Sequence, residues 1–141
     1  MKKKIKVVWV QAKDDCPFAY VEIENTLEAL QKFTNASAID IVERDFDGER
    51  LCVVCDDEGL LKLNPQPSAI WWPSGKVAFV GNLIITGLAD AEGELTSLTL
   101  EQVKKIFGTR RIAYFAGTGK RELVVVNEYT GNAGGKQKCQ Q

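Results

Sequence analysis

The dipeptide Asp47-Gly48 sits between two β-like runs, "SAIDIVERDF" (37–46) and "ERLCVVC" (49–55). A two-residue type I′ turn needs positive φ at both central positions, and Asp-Gly is among the pairs that supply it most cheaply. This stretch therefore predicts an antiparallel hairpin. "VVCDDEGLLKL" adds Gly59 as the left-handed residue of a longer turn, so 38–63 reads as a three-stranded meander. Further strands are predicted at "IKVVWV" (5–10) and, antiparallel to it, "AYVEI" (19–23). "KVAFVGNLIITG" (76–87) is apolar on both alternating faces, as for one central strand covered on two sides. Gly81 inside it marks a bulge or a close backbone approach.

Only two stretches carry helical spacing. "NTLEALQKF" (25–33) offers Asn25 as a cap, Glu28 as its capping-box partner, and Leu27, Leu30 and Phe33 near one face. It is too short to be stable alone and must lie on a sheet. "SLTLEQVKKIFG" (97–108) has Thr99 as cap, Gln102 as box partner, a Leu98–Val103 staple, Lys104 and Lys105 in the last turn, and Gly108 as terminator. "RRIAYFAGTGKRELVVVNEY" (110–129) is a hairpin turning at Gly117–Gly119, and 130–141 lacks periodicity and reads as a flexible tail. Without βαβ alternation the class is α+β: a single domain, a mainly antiparallel twisted sheet of about six to eight strands, and short helices at about 25–33 and 99–107. The expected division is a core over 1–109, a hairpin extension packed on it over 110–129, and the tail.

The 141 residues are 45% hydrophobic and 26% charged, which fits a globular domain with its own core. The net charge of -1 gives no bulk field toward nucleic acid or an acidic membrane. The basic start is followed by too short an apolar run for a signal peptide, and no run reaches the length of a membrane span. The expectation is a cytoplasmic protein. There is no histidine, which removes the commonest general base and the commonest transition-metal ligand. The chain reads as non-enzymatic, with a carboxylate-only enzyme as an alternative, and with no cofactor or metal.

Several motifs fail on geometry. "ERDFDG" (43–48) imitates a calcium loop, but the twelfth position is Val54. "GTGK" (117–120) imitates a P-loop, but Tyr114 and Arg121 stand where Gly and Ser/Thr are required. The turn with Lys120 and Arg121 keeps the capacity to meet an anion. Cys52 and Cys55 fall on a strand, where positions three apart point to opposite faces, so they read as buried thiols; Cys139 reads as an exposed one. Residues 40–58 hold eight carboxylates against Arg44 and Arg50. They read as a solvated hairpin edge or as an interaction face for a basic partner. The basic residues Lys2, Lys3, Lys4, Lys6, Arg110 and Arg111 lack the aromatic interleaving of an RNA-binding sheet, and nucleic acid is not an expected partner.

"LNPQPSAIWWPSGK" (63–76) remains. Pro65, Pro67 and Pro73 stiffen a connection that carries Trp71 and Trp72. If extended, the two indoles point to opposite sides, one to the core and one outward. With Asn64, Gln66 and Ser68 this is the composition of a stacking and hydrogen-bonding site. The candidate ligand-binding set is Asn64, Gln66, Trp71, Trp72, Lys120 and Arg121. The competing reading is that both indoles seal the end of the sheet.

"VEIENTLEALQKF" (21–33), "LCVVCDDEGLLKLNPQP" (51–67) and "GKVAFVGNLIITG…GELTSLTLEQVKKI" (75–106), in this order and spacing, resemble a small domain-of-unknown-function family of phage, plasmid and gut-bacterial proteins, over roughly residues 4–107. Where that family has Asn-Arg after its proline-rich turn, this chain has Gln66 and Pro67. The resemblance implies an accessory, counter-defence role on a mobile element. The expected partners are a small ligand such as a nucleotide signal, or a host protein; the alternative is a protein-interaction module using the acidic meander. The apolar 110–126 hairpin could extend the sheet or pair across a two-fold as a homodimer.

Overall fold

A computed structural model describes residues 3–12, 18–58, 66–115 and 119–128, by backbone alone at 113–115 and 119–122. Among these residues nine strands and two helices follow the order β1 (Lys4–Val10), β2 (Phe18–Glu24), α1 (Leu27–Thr34), β3 (Ile39–Phe46), β4 (Glu49–Asp56), β5 (Pro67–Trp72), β6 (Val77–Val80), β7 (Leu83–Thr86), α2 (Leu100–Gly108), β8 (Arg111–Phe115) and β9 (Gly119–Asn127). The fold is α+β in one domain. Its strands run β2-β1-β7-β4-β3-β9-β5-β6, with β8 pairing β9. All pairings are antiparallel except β5 with β9.

The Asp47-Gly48 turn forms as its chemistry requires. Both residues have positive φ, 55° and 88°, and Phe46 pairs with Glu49 across it. The Asp45 carboxylate accepts from Gly48 N at 2.9 Å, which fixes the turn from within. The third strand of the expected meander, with Gly59, lies outside the described residues; on its other side from β3, β4 pairs β7.

The expected central strand at 76–87 is a correction. It is two strands, β6 and β7, parted at Gly81 and Asn82. These strands stand five places apart in the sheet order. In a flat sheet that is about 24 Å. Val80 and Leu83 are three residues apart and span at most about 11 Å. The sheet therefore curls back so that β6 approaches β4, a contact the structure contains. Gly81 is the corner: its φ is +80°, and its N–H donates to Gln66 O at 2.8 Å. Asn82 braces it by accepting from Ala12 N and donating to Phe33 O.

Curling divides the core in two. The inner cluster takes Val8 and Val10 from β1, Leu51, Val53 and Cys55 from β4, and Leu83 and Ile85 from β7. Phe79 of β6, Leu123, Val124 and Val126 of β9, and Leu98 and Ile106 at α2 complete it. The outer cluster takes the alternate residues, Ile5 and Val7, Cys52 and Val54, and Ile84, under Leu30 of α1. β1, β4 and β7 are thus apolar on both faces because both faces are covered. The expectation of two-sided burial holds for 83–86.

The helices form close to the expected places. Thr99 and Gln102 make the reciprocal capping box of α2; Gly108 is its last residue and Thr109 its cap. The cap of α1 is Thr26, not Asn25: Thr26 Oγ1 accepts from Ala29 N at 3.1 Å. Asn25 is occupied elsewhere, its N–H on Lys3 O and its amide on Leu95 O. Leu27, expected on the apolar face, is 61% exposed. Leu30 is buried, and Phe33 packs edge-on against Trp9, whose Nε1–H donates to Phe33 O. Among the described residues no helix is long and apolar enough to cross a membrane.

The C-terminal hairpin forms, and β9 runs inside the sheet between β3 and β5. Its described pairing with β3 is Asp45↔Asn127. There the Asn127 amide donates to Asp45 Oδ1 at 2.6 Å, and Asp45 is 6% exposed. Asp45→Ala removes a charged acceptor that holds both the turn and β9. Urea unfolding is expected to show a loss of about 2 kcal/mol, against a change within about 0.5 kcal/mol for Asp47→Asn on the exposed turn.

Candidate functional site

The middle of the Pro/Trp stretch is a strand rather than a connection, which corrects the sequence expectation. Residues 67–72 are β5, hydrogen-bonded between β6 and β9. Pro67 is the first residue of the strand, where a missing N–H is tolerated. Pro73 follows the last residue and opens the turn to β6. That turn is closed by Trp71 N–H on Lys76 O and Gly75 N–H on Trp71 O, both 2.8 Å. It is tied to the end of β9, where Glu128 N donates to Trp72 O and Ser74 N to Glu128 Oε1.

The indoles part as strand alternation requires. Trp71 is half-buried against the inner cluster, and Trp72 is 57% exposed. Ser68 is buried, its hydroxyl donating to Phe79 O.

Among the described parts of the expected site, Gln66 and the backbones of Lys120 and Arg121 stand away from Trp72. Gln66 lies just before β5 begins, six residues away, or about 20 Å along an extended strand. Asn64, and the side chains of Lys120 and Arg121, lie outside the described residues. The backbone of Lys120 pairs with Tyr114, and that of Arg121 with Ala113. Trp72 pairs with Asn127, so on β9 these residues stand seven and six positions away, again about 20 Å or more. Gln66 and Trp72 thus stand at opposite ends of β5.

A residue the sequence reading passed over stands beside Trp71. Arg44 on β3 is flanked two residues either way by Val42 and Phe46, both of which meet the inner cluster. Alternation therefore points Arg44 inward, and an arginine in an otherwise apolar alternation was the available signal. Its guanidinium lies 5.3 Å from the Trp71 ring and 5.4 Å from the Phe79 ring. Nη1 donates to Glu43 O at 2.7 Å, while Nε is buried without a hydrogen-bond partner. Burial lowers its pKa from the ordinary 12.5.

Cys52 and Cys55 are buried free thiols on opposite faces of β4, one in each cluster. Burial raises both; Cys55 reaches about 11, with Asp40 contributing. Neither is an activated thiolate. Of the acids in 40–58, Asp45 is buried, Glu43 pairs with Arg50 at 3.0 Å, and Glu49 meets Lys105 at 3.8 Å and Gln102 at 3.1 Å. Asp40, Asp47, Asp57 and Glu58 are exposed. Among the described residues no group of three His, Cys, Asp or Glu side chains is arranged to hold a metal ion.

The molecule is thus a small α+β domain whose curled sheet presents Trp72 outward and sets the half-buried Arg44 against two inner-face rings. The family model of a domain of unknown function (DUF3846) matches residues 5–110, and the chain belongs to that family. No curated protein and no solved structure matches the chain. The match ends at the start of the C-terminal hairpin, so β9 lies beyond it although it sits within the sheet.

The Cys55 thiol gives a pH dependence whose sign is fixed. Its ordinary value is 9.0 and its folded value about 11, so the folded protein holds the proton more tightly. The resulting stabilisation is full below about pH 9 and is lost as pH rises through about 11. Chemical unfolding measured at about pH 8 and about pH 10.5 is expected to show a larger loss in the parent than in Cys55→Ala.

Proposed function

We propose that this chain is a non-enzymatic binding protein, an accessory factor of a phage or other mobile element with a counter-defence role. It takes a small flat ligand such as a nucleotide signal on Trp72. One observation carries the reading. Trp72 is 57% exposed at the end of a strand hydrogen-bonded to β9, with its carbonyl held by Glu128 N. A large aromatic surface left in water on a rigid support loses little entropy on binding, and stacking on such a ring tolerates any base. The mobile-element context comes from the family resemblance.

A host protein docking on the same indole is the neighbouring reading. An interaction through the acidic meander is supported by the exposure of Asp40, Asp47, Asp57 and Glu58, and it differs in salt response. A homodimer would form through β8. Among the described residues its pairing is with β9, and Ile112 on it is 54% exposed.

Tryptophan emission titrated with AMP, cyclic AMP and a cyclic dinucleotide tests the Trp72 site. The expected result is saturable quenching by at least one probe, weakened about tenfold or more in Trp72→Ala at unchanged thermal stability. Equal binding by parent and variant removes Trp72 from the site. Capture of a host protein that fails at high salt and survives Trp72→Ala assigns the interaction to the acidic meander.

A further inference from the structure

We infer that the inner face of the curled sheet carries an oxyanion-binding site anchored by Arg44, which receives the carboxylate or phosphodiester group of a small molecule. The site is separate from Trp72 and does not rest on it.

Three observations converge. Arg44 projects into the inner cluster from β3, on the face shared by Val42 and Phe46. Its guanidinium lies against Trp71 and Phe79, which arrive from the other side of β9 on β5 and β6. Aromatic contact steadies a planar cation without using its N–H groups, so the fork remains available for in-plane hydrogen bonds. Nε is out of water and lacks a hydrogen-bond partner. Of the other nitrogens, Nη1 is engaged by a neutral carbonyl, Glu43 O. The described ion pairs involve Arg50 and Lys105, not Arg44.

Arg44 is half-buried, and a buried Nε–H left without an acceptor is costly; an arriving anion relieves it. Asp40 acts on Arg44 electrostatically, but no described ion pair or hydrogen bond joins the two. Cys55 keeps its proton because burial holds its pKa at about 11. Asp40 is exposed and uses one carboxylate oxygen on Ile41 N. A guanidinium edge matches a two-oxygen acceptor, which carboxylate and phosphodiester share. Burial also lowers the Arg44 pKa, so an anion that restores it gains accordingly.

The test follows the Arg44 Nε–H and the three indole N–H resonances of the unsubstituted protein by NMR. The protein is titrated with benzoate, inorganic phosphate and cyclic AMP at constant ionic strength. The expected result is a saturable shift at Arg44 Nε–H and at Trp71. Benzoate alone assigns a carboxylate ligand, the phosphates alone a phosphate ligand, and both a general oxyanion site. Arg44→Lys and Arg44→Met should weaken the response about tenfold or more. A response confined to the Trp72 indole leaves the proposed function standing and overturns this one. So does a non-saturating drift at Arg44 with all three probes, or a response of equal affinity in the Arg44 variants.

Discussion

The contact between Asp45 and Asn127 is the constraint on which the rest of the sheet depends. It is a buried carboxylate accepting from the β3–β4 turn and from the last residue of β9. It sits at the described backbone pairing between β3 and β9, the seam between the β2-β1-β7-β4-β3 half of the sheet and the β9-β5-β6 half. Hydrogen bonds to a buried charge are strong, and leaving either partner alone is costly. The inner core reinforces the seam: Val42 and Phe46 from one half and Val126 and Trp71 from the other belong to the same apolar cluster. Arg44 reaches across the same seam to two rings of the far half.

Trp72 lies within the influence of that seam. It pairs with Asn127, the residue whose amide Asp45 holds. The exposed indole is thus presented by a strand whose position is set from the β3–β4 turn. The curl at Gly81 does the complementary work on the inner face. By folding β5 and β6 back, it brings Trp71 and Phe79 over the face from which Arg44 projects. A flat sheet with the same strand order would part them from α2 and leave a long apolar edge in water.

The features legible in the sequence were those coded locally. Asp47-Gly48 needs no distant partner to demand its turn, and Thr99 with Gln102 caps a helix from within four residues. The spacing of Cys52 and Cys55 on one strand foretold thiols on opposite faces, and both are buried. The cap of α1 slipped by one because Asn25 and Thr26 are both good caps, and tertiary contacts with Lys3 and Leu95 decided between them. β5 was hidden by its prolines, which stand at its first position and just past its last, where a strand accepts them. The break at Gly81 and the parallel seating of β5 on β9 are long-range pairings that no local spacing encodes. Of the candidate site, the opposed indoles were legible and the grouping around them was not. Gln66 and Trp72 are close in sequence but at opposite ends of an extended strand. Arg44 was readable in principle from its place between Val42 and Phe46.

Native-state hydrogen exchange on Asn127→Ala, compared with the parent, tests the seam most directly, because it reads each strand separately. If Asp45 and Asn127 join two halves, protection should fall in β9, β5 and β6 while β1, β4 and β7 keep theirs. An equal loss across all strands, or unchanged protection in β5 and β9, would contradict the account.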